Sequence, residues 1–432
     1  MPISVINYQQ EDFAQRLRSL ISKNSQASQE LSLKVAQIID RVKEHGDKEI
    51  IAICNQFDGS DFKSGQDLIV NSSGIKQAKN NIKAELLQAM QLAYQRIYDY
   101  HLRQMPQDFT YQDKLGNKLG NRWRAIDSVA AYVPGGTALY PSSVLMTVVP
   151  AVVAGVKNIV VTVPSVKGEI NDCVLAACDI CGIETIYKMG GTAAVAALAY
   201  GTQTINKVDK IVGPGNSFVA LAKKQLFGQV GIDMLAGPSD ILVIADNKAN
   251  PNWIAADLLS QLEHGADSSA ILVTDDVSLA DSVSIAIDRL TAELSRKDII
   301  AKSLKNSAII IVNSLAEDAP KIADQIAPEH LEIITDNAEN LAQKINNAGA
   351  IFLGEYSPEA IGDYVAGPNH TLPTMGTARF SGGLSVFDFL KRTSIIQCCK
   401  EGFKELQKAT AILAETEGLE AHKLSVTIRD EN

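Results

Sequence analysis

No stretch of eighteen consecutive apolar residues occurs in this chain of 432 residues, which excludes a membrane-spanning helix. Met1-Pro2-Ile3-Ser4 offers neither the basic n-region nor the apolar h-region of a secretion signal. Positive charge is in deficit, 40 Lys and Arg against 50 Asp and Glu, for a net charge of -10. That is the wrong sign for general nucleic-acid binding. Cysteine is scarce: Cys54, Cys173, Cys178, Cys181, Cys398 and Cys399 are too few to frame a disulfide scaffold. Neither H-E-x-x-H nor G-x-G-x-x-G is found, so the helical zinc-protease signature and the dinucleotide fingerprint are both missing. The expectation is a cytoplasmic protein with no nucleic-acid and no membrane partner.

What is there is a chain 46% hydrophobic, long enough for two or more domains. Residues 1–123 read as mainly helical, partly packed on the second of two domains that follow. Leu86, Met90, Ala93 and Ile97 are spaced for one helix face. From Asp127 the texture becomes short β-branched runs alternating with helical ones. One set of strands is expected at 128–133, 159–163, 184–188 and 210–212. A second is expected at 241–245, 271–274, 308–312, 331–335 and 350–353. Strands separated in this way indicate parallel α/β units. The fold class is therefore two Rossmann-like parallel α/β domains, 124–235 and 236–378, similar enough in order to be an old duplication. The tail, 379–432, reads as a helical arm over 387–399 and 402–417. Cys178-Asp179-Ile180-Cys181 has half the spacing of a zinc or redox site, but its Ala-rich surroundings make it core.

Chemistry concentrates late in the chain. In Ala327-Pro328-Glu329-His330-Leu331-Glu332, Pro328 disfavours helix at Ala327, so a carboxylate and an imidazole stand side by side where helix gives way to strand. Such a pair can move protons near neutral pH; it can equally be a solvated Glu beside a helix-ending His. Gln261 and His264 are three apart near a helix end, either surface polarity or a ligand pair. The Gly/Pro-punctuated segment 361–374 carries Asp363 and His370, and the tail supplies Glu417 and His422. Gln261, His264, Asp363 and His422 together form a nitrogen and oxygen set suited to zinc, with no thiolate. Glycine-rich turns follow strands at Tyr132-Val133-Pro134-Gly135-Gly136-Thr137, Gly190-Gly191 and Gly213-Pro214-Gly215-Asn216. They are ordinary turns with positive φ, or helix starts that hold an anion. Ala236-Gly237-Pro238-Ser239-Asp240 reads the same way.

Taken in order, these segments resemble the histidinol dehydrogenase family over nearly the whole chain. The match also includes Ser260-Gln261-Leu262-Glu263-His264-Gly265, Gly367-Pro368-Asn369-His370-Thr371-Leu372-Pro373-Thr374 and Glu417-Gly418-Leu419-Glu420-Ala421-His422. The resemblance implies NAD-linked, zinc-dependent oxidation of L-histidinol to L-histidine through L-histidinaldehyde, the last steps of histidine biosynthesis. It implies one zinc per subunit on Gln261, His264, Asp363 and His422, with Glu329 and His330 as the acid/base residues. Substrate contacts would come from Ser239, His370 and Glu417 and from the zinc ligands and His330. NAD contacts would come from Tyr132, Asn216 and position 193. The last is a departure: the family usually has Gln where Ala193 stands. Members are homodimers in which the C-terminal arm crosses over, so Glu417 and His422 would complete the partner's site. The alternatives are a relative oxidising another small polar alcohol such as a sulfonated diol, a zinc hydrolase, and a non-catalytic binding protein.

Overall fold

A computed structural model describes residues 3–22, 29–135 and 140–431. Its strands are β1 (Ser4–Asn7), β2 (Phe109–Gln112), β3 (Lys118–Ala125), β4 (Ser128–Tyr132), β5 (Asn158–Thr162), β6 (Thr185–Tyr187) and β7 (Lys210–Val212). There follow β8 (Gly231–Ile232), β9 (Asp240–Ala245), β10 (Ser269–Thr274), β11 (Ala308–Ile311), β12 (His330–Ile334), β13 (Ala350–Leu353) and β14 (Leu390–Gln397).

Two of the three sheets are parallel. One has the order β6-β5-β4-β7-β8, the other β1-β11-β10-β9-β12-β13. Numbered within its own half, each sheet reads 3-2-1-4-5, the beginning of the doubly wound order. The second differs only in borrowing β1, which pairs in parallel with β11 at its edge. Strands in such sheets are covered on both faces and so are apolar throughout. All six residues of β10 are buried, and each buried Val, Ile or Leu contributes roughly 1.5–3 kcal/mol.

The N-terminal segment serves both halves. Phe13 and Leu17 join the core around Ile310 and Leu331, whereas Val35, Ile39 and Val42 pack with Ala194 and Leu198 of the first half. The expectation of helix needs correction in three places. Residues 4–7 are a strand, as are 109–112 and 118–125, and so is 390–397, expected within a helix at 387–399. β14 and β2 flank β3 in an antiparallel sheet, with Leu390 opposite Ala125 and Gln397 opposite Lys118. The β-branched run Thr393, Ile395, Ile396 favours extended backbone, and a cross-strand partner distant in sequence decided the outcome. Beyond it the helices Lys400–Thr416 and Glu420–Thr427 pack on each other. Among the described residues, no helix is long and apolar enough to cross a membrane.

Candidate active site

The helix Leu315–Ile326 stops on Ala327, held in the left-handed region at φ 51°. That conformation costs a non-glycine residue about 1–2 kcal/mol. Pro328 follows, and His330 opens β12. This short junction is pinned from both sides. On the β13 side, Gly349 N–H donates to Pro328 O and Ala350 N–H to Glu329 O, each at 2.9 Å. On the β9 side, Glu329 N–H donates to Asp240 Oδ1 at 2.9 Å, and Asp240 N–H donates to Glu329 Oε2 at 3.1 Å. A Cβ at Gly349 would lie 2.6 Å from Glu329 O, so only glycine allows the approach.

Glu329 and His330 are 5% and 3% exposed. His330 Nδ1 lies 3.6 Å from Glu359 Oε1 and 4.0 Å from Glu329 Oε2, and Nε2 lies 3.6 Å from Asp363 Oδ1. Nε2 is buried without a hydrogen-bond partner. Burial works against a charged His330, but Glu359, Glu329 and Asp363 outweigh it and hold its pKa well above the usual imidazole value. Burial pushes Glu329 up to about 8, against the opposing pull of His330. The same cause takes Glu359 to about 8 and Asp240 to about 6. Burial also acts to raise Asp363, but His330, His370 and His264 reverse the balance and its pKa is lowered.

His264, Glu359 and Asp363 place ligand-capable atoms within 4.8 Å of one another. Gln261 lies in the last turn of the helix Pro251–Leu262, and His264 comes just beyond it, its N–H donating to Gln261 O at 3.3 Å. His264 is exposed as a residue, yet the protein around its ring lowers its pKa, with Asp363 opposing. Glu359 and Asp363 share a face of the helix Glu359–Tyr364, whose first N–H donates to Glu332 Oε1 at 2.6 Å. Asp363 O lies 2.9 Å from His370 Nδ1. The loop between them is fixed by Arg96, which donates to Val365 O and Ala366 O, and by Asn369, which donates to Met146 O.

The 361–374 segment follows β13, the last strand of its half, and chain order alone places it at the carboxyl edge of the sheet, where open α/β sheets bind ligands. The helix Glu359–Tyr364 instead runs back along β12. Asp363 therefore meets His330, the first residue of β12, at the amino edge.

Gln261, fully buried, uses its amide differently from a free ligand. Oriented to satisfy its neighbours, it donates to Glu359, 3.0 Å to Oε2, and accepts from Asp240 N–H at 3.1 Å. Ser239 is half-buried directly before Asp240. His422 and Glu417 are exposed on the C-terminal helices, and the structure does not bring them to the cluster within one chain. The donor set still fits a divalent cation. Asp240, Glu329, Glu359 and Asp363 crowd four carboxyl groups around His330, and three of them have values raised chiefly by burial, a cost that a bound cation would relieve. Imidazole and carboxylate without thiolate suits zinc.

The cofactor candidates lie at the carboxyl edge of the first sheet. The Tyr132 hydroxyl accepts from Gly191 N–H at 3.1 Å where the helix Gly191–Tyr200 begins. Asn216 caps the helix Ser217–Leu226, its Oδ1 accepting from Phe218 N–H and Val219 N–H at 3.1 and 3.2 Å. Ala193 is buried in the core and presents only a methyl group. Gly136 and Thr137 lie outside the described residues. Glycine is required at the turns: a Cβ at Gly213 would lie 2.2 Å from Tyr132 O, and one at Gly190 2.4 Å from Pro164 Cγ. Two helix N-termini beside bare backbone fit the diphosphate of a dinucleotide.

Residues 21–430 match the family model described as histidinol dehydrogenase. The chain belongs to the histidinol dehydrogenase family. It is 49% identical over 418 residues to a histidinol dehydrogenase of Agrobacterium fabrum, covering 97% of this chain and 96% of the relative. It is 47% identical to one from Acinetobacter baylyi over 98% and 99% of the two chains. The crystal structure of a histidinol dehydrogenase from Elizabethkingia anophelis superposes with a TM-score of 0.94 at 37% identity, over 99% of this chain and 98% of that one. This is a family of oxidoreductases.

Sequence reasoning gave no role to Asp240, Glu332 or Glu359. The first two were in view as members of quoted segments. Glu332 shares a strand face with His330, two residues on, which is the signal that could have marked it. Glu359 follows Pro358 and reads as an ordinary first-turn acid of a helix.

Proposed function

We propose that the chain oxidises L-histidinol to L-histidine through L-histidinaldehyde, with zinc and NAD, as the last steps of histidine biosynthesis in the cytoplasm. The observation that carries this reading is the buried Glu329–His330 pair set against His264, Glu359 and Asp363 in a chain of this family. In this assignment 124–235 contacts NAD, 236–378 holds the catalytic and zinc residues, and 379–432 is an arm exchanged in a homodimer. The exposure of Leu413, Leu424 and Ile428 on that arm supports the exchange. It would bring the partner subunit's Glu417 and His422 to each site.

Glu359, Glu329 and Asp363 favour the charged form of His330. A cation held by Asp363 would offset that pull, and His330 then takes the alcohol proton on Nε2, which has no hydrogen-bond partner, while Glu359 beside Nδ1 stabilises the imidazolium that results. Glu329 serves the second step by taking a proton from the water that adds to the aldehyde. Zinc, when bound by Gln261, His264, Asp363 and the partner's His422, supplies a fixed positive anchor for the substrate's amine and imidazole nitrogens. Tyr132 and Asn216 would hold NAD, which would supply the hydride acceptor, one molecule for each of the two successive oxidations. The Asn216 Oδ1 is committed to its helix cap, which leaves the amide nitrogen as the donor to the cofactor. Ser239, His370 and Glu417 complete the contacts to substrate.

The test is NADH formation, followed by absorbance, with histidinol and with a sulfonated diol, before and after treatment with a chelator. Activity on histidinol that the chelator removes and zinc restores is expected. Activity on the diol alone, or indifference to metal removal, would refute the reading.

A further inference from the structure

One buried pair of opposite charges beside the cofactor cradle has no part in the chemistry above. Lys223, on the helix Ser217–Leu226, and Asp233, just after β8, have side chains 2% and 0% exposed. Lys223 Nζ donates to Asp233 Oδ1 and also, at 2.9 Å, to Gly213 O. Asp233 Oδ2 accepts from Gly213 N–H at 2.7 Å. A single ion pair thus holds the N–H and the C=O of one residue. That residue opens the Gly213-Pro214-Gly215-Asn216 turn with φ 108°, its Cα packed against Tyr132 O. At the other end of the turn Asn216 caps the helix that carries Lys223.

Stability does not account for such a pair. Desolvating two charges costs about what their attraction returns, and apolar replacements of like volume are often neutral or stabilising. Nor does the turn need it, since glycine reaches positive φ unaided. What the pair adds is direction. It fixes both peptides flanking Gly213, and with them the strand end, the turn and the helix start between Tyr132 and Asn216.

We infer that Lys223 and Asp233 are positioning residues that preset the Gly213–Asn216 turn for NAD, a role that rests on the NAD reading above. Their effect falls on cofactor affinity, because a loop already in its bound shape loses less freedom on binding. The experiment titrates the full-length dimer with NAD alone by calorimetry and measures steady-state kinetics. It compares the wild type, the apolar double variant K223M/D233L, the single variant D233N and the charge-keeping K223R.

The double variant is expected to weaken NAD binding, and to raise the KM for NAD, about tenfold or more. Its KM for histidinol stays near wild type, its Tm falls because Gly213 N–H and C=O lose their partners, and K223R lies closer to wild type than D233N does. Unchanged NAD affinity in a folded double variant overturns the inference, as does an equal loss in every parameter, which would mark a purely structural pair. Where the double variant does not fold, the same comparison is made with D233N. A wild type that neither binds nor reduces NAD refutes the cofactor reading itself, and this inference with it.

Discussion

Glu329→Gln separates the two oxidations that the proposed reaction joins. The substitution preserves shape: a Gln oxygen can still accept from Asp240 N–H, as Glu329 Oε2 does at 3.1 Å. Only the ability to take a proton is lost. Removing a general base typically costs a factor of about 10²–10⁴ in the step it serves. That loss should fall on hydration of the aldehyde, while the first hydride transfer, served by His330, changes little. With a pKa pushed up to about 8, roughly a tenth of Glu329 is ionised at pH 7 and roughly nine-tenths at pH 9. The wild-type hydration step therefore rises about tenfold across that interval, and the variant's does not. A cation bound at the cluster moves the rise to lower pH without changing its sign. The assay is single-turnover NADH formation from histidinol at several pH values, with a second series started from histidinaldehyde. The variant should release one NADH promptly and the second slowly. An equal slowing of both phases would refute the assignment.

Three further outcomes follow from other parts of the molecule. Burial raises Glu332 well above the usual carboxyl value, and raises its neighbour Asp257 to about 6. The pair therefore takes up a proton on folding, and stability is lost as pH climbs from about 4 through the folded values. Glu332→Gln keeps an acceptor for Glu359 N–H, so it should flatten that loss and raise the Tm at pH 8 in thermal melts; a lower Tm at pH 8 than wild type would contradict this. Cys54, Cys178 and Cys181 are buried and their thiols pushed up, Cys54 to about 12, whereas Cys398 is exposed. Mass spectrometry after iodoacetamide treatment of the native protein should find Cys398 modified and those three intact, and early labelling of Cys178 would show the core reading to be wrong. If the arm is exchanged, inactive Asp363→Ala and His422→Ala chains refolded together form hybrids with one intact site. About a quarter of wild-type activity should return under random pairing of a symmetric dimer, and no recovery would argue against exchange.

The parallel sheets were legible because their strands are continuous apolar runs with helices between them. All nine expected strands lie within two residues of those observed at each end, and Lys210–Val212 and Ala350–Leu353 coincide. β1, β2, β3, β8 and β14 were not legible. β1 and β14 have their partners far along the chain, β8 is only two residues long, and β2 is exposed at all four positions and β14 at seven of its eight; such strands carry no alternation to read. At the site, Glu329 and His330 stood out because Pro328 announces the turn that presents them. Glu359 did not, because its role depends on a helix that reverses direction after β13 and carries it to His330. The same reversal moved the site to the amino edge of β12. His422 and Glu417 are exposed on the C-terminal arm, away from the cluster of their own chain, and nothing in their local sequence says what they face.

The claim on which the account turns is that one site, with Glu329 and His330 side by side, carries an alcohol through to an acid. The direct measurement is the amount of NADH released per histidinol when histidinol is limiting and NAD is in excess. Two NADH per histidinol, with histidine as the product, is the predicted result. A plateau at one, with aldehyde accumulating in the wild type, would contradict it.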